Sequence, residues 1–196
     1  MPEFNEGAFQ ASEIAFIAES YPIGVIPRRR LEAVTMIGAK LVEMRPPRRT
    51  QVPLWLAILL RRQKRVVLVP PDWLLSENLT ISLRFEEERP KEFSQLPYHW
   101  LETAELILST AEEDVPEVDT VRRLLRDIRE IRQSKAREGL SILDDTYLQM
   151  DHLGAMEINE IRPLFTSFAK GLRVFNDVIR QKADSDEDSD DENMNT

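Results

Sequence analysis

Gln51 to Leu74 reads QVPLWLAILLRRQKRVVLVPPDWL, and the reading of its two apolar runs decides the fold. Val52 to Leu60 is one unbroken apolar run and Val66 to Pro71 is another, with Arg61-Arg62-Gln63-Lys64-Arg65 between them. A membrane helix needs about 20 apolar residues in succession, so neither run spans a bilayer. The pattern predicts a short helix near residues 53–64, buried on nearly all sides, then a basic turn, then a buried strand. Pro53 suits a first helical turn, where a missing N–H costs nothing. Val66-Val67-Leu68-Val69 is β-branched enough for a strand, and Pro70-Pro71 ends it because proline cannot donate to a ladder. The stretch therefore joins a β-rich part to a helical part.

Upstream, Ala11 to Glu19 predicts a helix with Ser12 as N-cap and Ile14, Ile17 and Ala18 on one side. Pro22, Gly24 and Pro27 then punctuate an Ile-Val-Ile strand. Val34 to Ile37 and Lys40 to Met44 predict two further strands that separate at Gly38, and Arg45 to Arg49 a loop. Three short strands alone are marginal, so this unit, residues 1–69, is expected to lean on the buried helix or on another chain.

Downstream, Leu79, Ile81, Leu83 and Phe85 alternate as in a strand, but Glu86-Glu87-Glu88-Arg89 continues a helix far better. A helix that ends at Pro90 is therefore predicted. After Pro97, Trp100, Leu101, Ala104, Ile107, Leu108 and Ala111 form a helical face. Asp114 with Glu117 reads as an acidic N-cap signature. The helix it opens carries Val118, Val121, Leu124, Leu125, Ile128 and Ile131 within an arc of about 140°, and Gly139 is its expected end. Arg132 and Lys135 occupy positions where the stripe calls for apolar residues. They are expected to leave the core and meet the acidic groups of a partner.

Beyond a looser connection from Ser141 to Gly154, Ile158, Ile161, Phe165, Phe168, Leu172, Phe175 and Ile179 follow steps of 3 and 4, a heptad seam. Leu164 and Val178 widen it, as in a bundle helix. Pro163 places the start of the regular helix near itself, after a turn at residues 157–162. The expected fold class is α+β and mainly α, with a helical domain over 70–182 after the small β-rich one.

The net charge of −9 divides unevenly. Residues 183–196 hold seven acids and no Lys or Arg, and without them 28 acids face 26 bases. Such a run cannot offset its ordering entropy and is expected to be disordered. Ser185 and Ser189 precede acids, a context that acidophilic kinases favour. Cysteine is absent, which excludes disulfides and thiolate metal sites. The N-terminus lacks the pattern of a signal peptide, so the Asn78-Leu79-Thr80 triplet is expected to stay unglycosylated.

Little points to catalysis. His99 and His152 lie far apart without an acid pattern for zinc, and neither GxxxxGK[ST] nor GxGxxG occurs. No catalytic, cofactor-binding or metal-ligating residue is expected. Basic clusters lie at Arg28 to Arg30, at Arg45, Arg48 and Arg49, at Arg61 to Arg65, and from Arg122 to Arg137. They read as solvated faces or as contacts to an acidic partner. The alternative is a stand-alone nucleic-acid-binding accessory protein that collects them into one stripe.

Several motifs together are specific. These are Val52-Pro53-Leu54-Trp55-Leu56-Ala57-Ile58, then Arg62-Gln63-Lys64, Pro70-Pro71-Asp72-Trp73-Leu74 and Met156-Glu157-Ile158-Asn159. With Glu13-Ile14-Ala15-Phe16 and Ile26-Pro27, the chain resembles the Psf-two type subunits of the eukaryotic GINS complex over about residues 12–180. The resemblance implies a β-rich N-terminal domain, a helical C-terminal domain and a heterotetramer with three related subunits. It also implies a non-catalytic, nuclear role in which the complex joins the Mcm ring and an activating factor as the replicative helicase. DNA contact is then indirect or weak, and no membrane is involved. Val52, Pro53, Leu54, Trp55, Leu56, Ile58, Pro70, Pro71 and Trp73 are its expected core signature. The Phe165, Phe168, Leu172 and Phe175 seam is expected to pack within the helical domain first and at subunit contacts second.

Overall fold

The computed structural model describes residues 9–36, 39–141, 151–168 and 170–171. The run from Val52 to Leu60 splits between two elements. Strand β4 (Thr50–Pro53) takes its first two residues, and helix α2 (Leu54–Arg62) takes the rest. Pro53 is thus the N-cap of α2 and not its first helical residue. Having no side-chain acceptor, it leaves the first N–H groups of the helix to the backbone of another segment. Leu54 N–H donates to the Tyr21 carbonyl at 2.8 Å and Trp55 N–H to the Glu19 carbonyl at 3.0 Å.

The acceptors come from the turn after helix α1 (Ala11–Ala18). That helix starts from Gln10 and not from Ser12, because Glu13 reaches back to the Gln10 N–H at 2.8 Å. Ile14 and Ala18 are buried, but Ile17 is 48% exposed.

Strand β1 (Pro22–Pro27) is the centre of a three-stranded antiparallel sheet, between β4 and strand β5 (Val66–Val69). Ile23 lies opposite Val52, and Val25 opposite Leu68. These four, with Val66, are buried and face the core with Leu54, Ala57 and Ile58 of α2. A hairpin of β2 (Val34–Met36) and β3 (Ala39–Leu41) stands beside the sheet, extended by a Leu31–Met44 bridge. The predicted strand over Lys40 to Met44 therefore stops early.

Three helices follow: α3 (Ser76–Glu88), α4 (Trp100–Thr110) and α5 (Val118–Ser141). Glu86 to Glu88 do extend α3 as a helix. Gly139 does not end α5, which runs on to Ser141. A sixth helix, α6, covers residues 155–168. It begins well before Pro163, because its first turn is anchored by Glu157, which accepts the Gly154 N–H at 2.7 Å. One hydrophobic cluster runs from Ile23 in the sheet through Leu54, Trp100 and Ile107 to Ile128.

Asp114 is not an N-cap, since α5 opens four residues later and Glu117 has φ 51. It is a tie between sheet and helices instead. Its carboxylate accepts Arg61 Nε at 2.5 Å and the Leu68 N–H of β5 at 2.9 Å. Arg61, 8% exposed, also donates to Glu113 at 3.0 Å. Arg61 therefore belongs to the interior, not to a solvated basic turn. Asp114→Ala is expected to lower the unfolding free energy by about 3 kcal/mol, because it leaves a buried guanidinium without its main partner. The shift of the denaturation midpoint measures this.

Candidate partner interface

Arg132, midway along α5, is fully buried and every N–H it carries has an acceptor. Nε and one terminal nitrogen form a fork on Glu157 of α6, at 2.7 and 2.9 Å. That terminal nitrogen also donates to the His152 carbonyl at 2.7 Å. The other donates to Glu86 of α3 at 2.8 Å and to the Ser94 carbonyl at 3.2 Å. The guanidinium also lies over the rings of Phe93 and Trp100, 5.0 and 5.8 Å from their centres.

Lys135 completes the group. It donates to Glu86 at 2.5 Å and to the carbonyls of Arg89 and Glu92. Two cations face two carboxylates, so the cluster is neutral. The expectation that Arg132 and Lys135 leave the core for a partner is thus corrected. Their acids come from α3 and α6 of the same chain, and an arginine with no exposed surface has nothing to offer outside. Burial pushes the Glu86 carboxyl up, but hydrogen bonds from Lys135, Ser94 and Arg132 outweigh it and hold the carboxyl below its usual range.

The clasp positions α6. Arg129 donates to Glu160 at 2.6 Å and Gln133 to the same carboxylate at 2.7 Å, so two turns of α5 grip the start of α6. Gly154 lets the chain pass Trp100, since a Cβ there would lie 3.0 Å from the indole. Glu157, Ile161, Leu164 and Phe168 succeed one another along one face at steps of 4, 3 and 4. That face is polar and saturated at its start, then apolar and only partly covered. Leu164 is 54% and Phe168 39% exposed, while Ile161 and Phe165 are half-buried. Ile158, Ile161 and Phe165 are thus partly covered within the chain, whereas Leu164 and Phe168 leave most of the exposed apolar surface. Leu172 and Phe175 lie outside the described residues, as do Ser185 and Ser189.

Of the signature residues, Val52, Leu54, Leu56 and Ile58 are buried; Pro53, Trp55, Pro70, Pro71 and Trp73 are half-buried. Trp55 and Trp73 pack against the main cluster. His99 faces the acid one helical turn on: its Nδ1 is 3.6 Å from Glu102 Oε1, and burial pushes the Glu102 carboxyl up. Among the described residues no group of three or more His, Asp or Glu is placed to hold a metal ion, and no helix is long and apolar enough to cross a membrane.

The fold is a small sheet-and-helix unit followed by a helical bundle, and comparisons with known proteins match both parts. A family model described as GINS complex protein helical bundle domain matches residues 73–176, and one described as PSF2 N-terminal domain matches residues 10–69. The DNA replication complex GINS protein psf2 of Schizosaccharomyces pombe is 39% identical over 182 residues, covering 93% of this chain and 99% of that protein. The PSF2 protein of Yarrowia lipolytica is 40% identical over 94% of this chain and 75% of its own length. That of Saccharomyces cerevisiae is 34% identical over 88% and 90%. The chain belongs to the PSF2 family of DNA replication complex GINS proteins.

Arg132→Ala is expected to cost about 3–5 kcal/mol, since it strands two buried carboxylates. A depressed carboxyl stabilises the fold fully above its unfolded pKa of about 4.3 and loses that contribution as pH falls through the folded value. Stability of the natural chain is therefore expected to drop in acid. Glu86→Gln, weaker at pH 7, is expected to show a shallower drop when denaturation midpoints are followed from neutral pH downward.

Proposed function

We propose that this chain is a non-catalytic scaffold subunit of a heterotetrameric GINS complex. In this reading it binds three related subunits, and through the assembled complex it holds the Mcm ring helicase and its activating factor together in the nucleus. Its contribution to DNA replication is mechanical: it fixes the positions of other chains and carries out no reaction itself.

The observation that carries the reading is the apolar face of α6 beyond the clasp. Ile161, Leu164, Phe165 and Phe168 leave water-exposed surface on a helix whose first turn is rigidly held. Helix α1 offers a second such surface, with Phe16 73% exposed beside Ile17. Apolar surface of this kind, rimmed by polar groups, is the usual mark of a protein partner. The seam, including Leu172 and Phe175, is assigned to subunit contacts on this basis.

Co-expression of the tagged chain with the three other subunits is expected to yield a 1:1:1:1 complex, and the chain alone to be poorly soluble. Leu164→Asp with Phe168→Asp is expected to cut recovery of that complex by roughly tenfold or more, since desolvated interface anchors each contribute about 2 kcal/mol or more. Circular dichroism of the variant should stay helical. Full recovery of the complex with both aspartates in place would remove the α6 face from the interface.

A further inference from the structure

Three basic segments that are far apart in the sequence converge at one end of the sheet. β1 is antiparallel to both neighbours, with Val25 opposite Thr50 and Pro27 opposite Val66. The end where β1 finishes is therefore the end where β4 and β5 begin. Arg28, Arg29 and Arg30 leave β1 there, Arg48 and Arg49 lead into β4, and Arg62, Lys64 and Arg65 lead into β5. The Arg28 N–H donates to the Arg65 carbonyl at 2.8 Å, which joins the first and third segments directly. Strands are spaced by about 4.8 Å, so the three strand ends span about 10 Å.

Residues 22–69 contain eleven Lys and Arg but only two acids, Glu32 and Glu43, within a chain whose net charge is −9. One cation of the eleven, Arg61, is spent on Asp114 and Glu113. Arg30 and Arg45 share Glu43. Among the described residues, Arg28, Arg29, Arg48, Arg49, Arg62, Lys64 and Arg65 are exposed and take part in no ion pair. Arg49 lies across Gly24, where any Cβ would collide with its guanidinium.

The chemistry favours phosphate. Guanidinium forks match phosphate oxygens, and a duplex presents one charge per about 1.7 Å of its axis. The three segments carry no apolar residue, unlike the core of a protein interface. Within residues 22–72, which hold all three segments, the one aromatic side chain is Trp55, packed against the main cluster from the first turn of α2, so the three segments carry no platform of their own for stacking unpaired bases. We propose that this end of the sheet is a sequence-independent binding site for the phosphate backbone of duplex DNA. It goes beyond the scaffold role and does not rest on it.

The test uses the full chain, co-purified with its partner subunits, and a labelled duplex of about 25 base pairs read by fluorescence anisotropy across a salt series. Arg28→Gln, Arg29→Gln, Lys64→Gln and Arg65→Gln together are expected to weaken binding at least tenfold near 100 mM salt. They are also expected to flatten the slope of log affinity against log salt by about 0.9 for each phosphate no longer neutralised. Arg61 is left untouched because it belongs to the interior. Gly24→Ala, which displaces Arg49 and removes no charge, is expected to weaken binding roughly threefold, because one oriented fork is disturbed. Arg84→Gln, Lys91→Gln, Arg123→Gln and Arg126→Gln, exposed cations outside the sheet, should leave binding unchanged.

Four results would overturn the proposal: no binding by the natural chain, equal loss in the helical control, discrimination between unrelated duplex sequences, or displacement of the duplex by a polyglutamate peptide at lower charge concentration. The last would assign the surface to an acidic polypeptide. Recovery of the subunit complex is scored separately, so a failed assembly and a failed site give different results.

Discussion

A guanidinium without solvent contact has to find acceptors for five N–H groups inside the protein, and the helical part of this chain is arranged to meet that demand at Arg132. Glu86, Ser94, His152 and Glu157 supply the acceptors from four separate segments. Each must be in place for the charge to be tolerated, so α3, the 89–96 loop, α5 and the start of α6 are registered against one another by a single side chain. A well-packed apolar cluster of similar volume could be as stable. What the ionic version adds is geometry: apolar contacts tolerate sliding, whereas a fork on a carboxylate fixes distance and angle.

Arg61 and Asp114 apply the same logic one layer away. The apolar cluster is continuous from β1 to α5, yet continuity alone does not set the position of a sheet on helices. Asp114 does so by taking both the arginine of α2 and an outward N–H of β5. Both clasps therefore act at seams of the architecture, where one group of elements meets the next. Beyond the Arg132 clasp the apolar face of α6 is only partly covered, with Leu164 and Phe168 its most exposed members.

Much of this was legible in the residues. The helix–basic turn–strand order after Val52, the extension of α3 by its glutamates and the stripe of α5 all followed from periodicity and propensity. β4 was hidden because a run of apolar residues carries no mark where a strand becomes a helix, and because the acceptors that cap α2 come from Glu19 and Tyr21, over thirty residues earlier. Arg132 and Lys135 were visible as breaks in an apolar stripe, and the acids they require were anticipated. Which acids was beyond reach: with 35 carboxylates in the chain, nothing local singles out Glu86 or Glu157. The helix start at residue 155 was missed for the same reason, since Pro163 is the louder local signal and Glu157 acts through tertiary contacts. The meeting of three arginine-rich segments is likewise a property of strand order, not of spacing.

The depth of the clasp also decides how it responds to ionic strength. Mobile ions screen charges they can approach; a pair sealed beneath Phe93 and Trp100 lies beyond their reach, while exposed arginines do not. A rise in salt should therefore leave the Arg132 clasp at the start of α6 intact while it weakens the exposed Arg129–Glu160 pair and the other surface charges. The register that Arg132 sets among α3, α5 and α6 is thus expected to be the same in a purification buffer and in the cell interior.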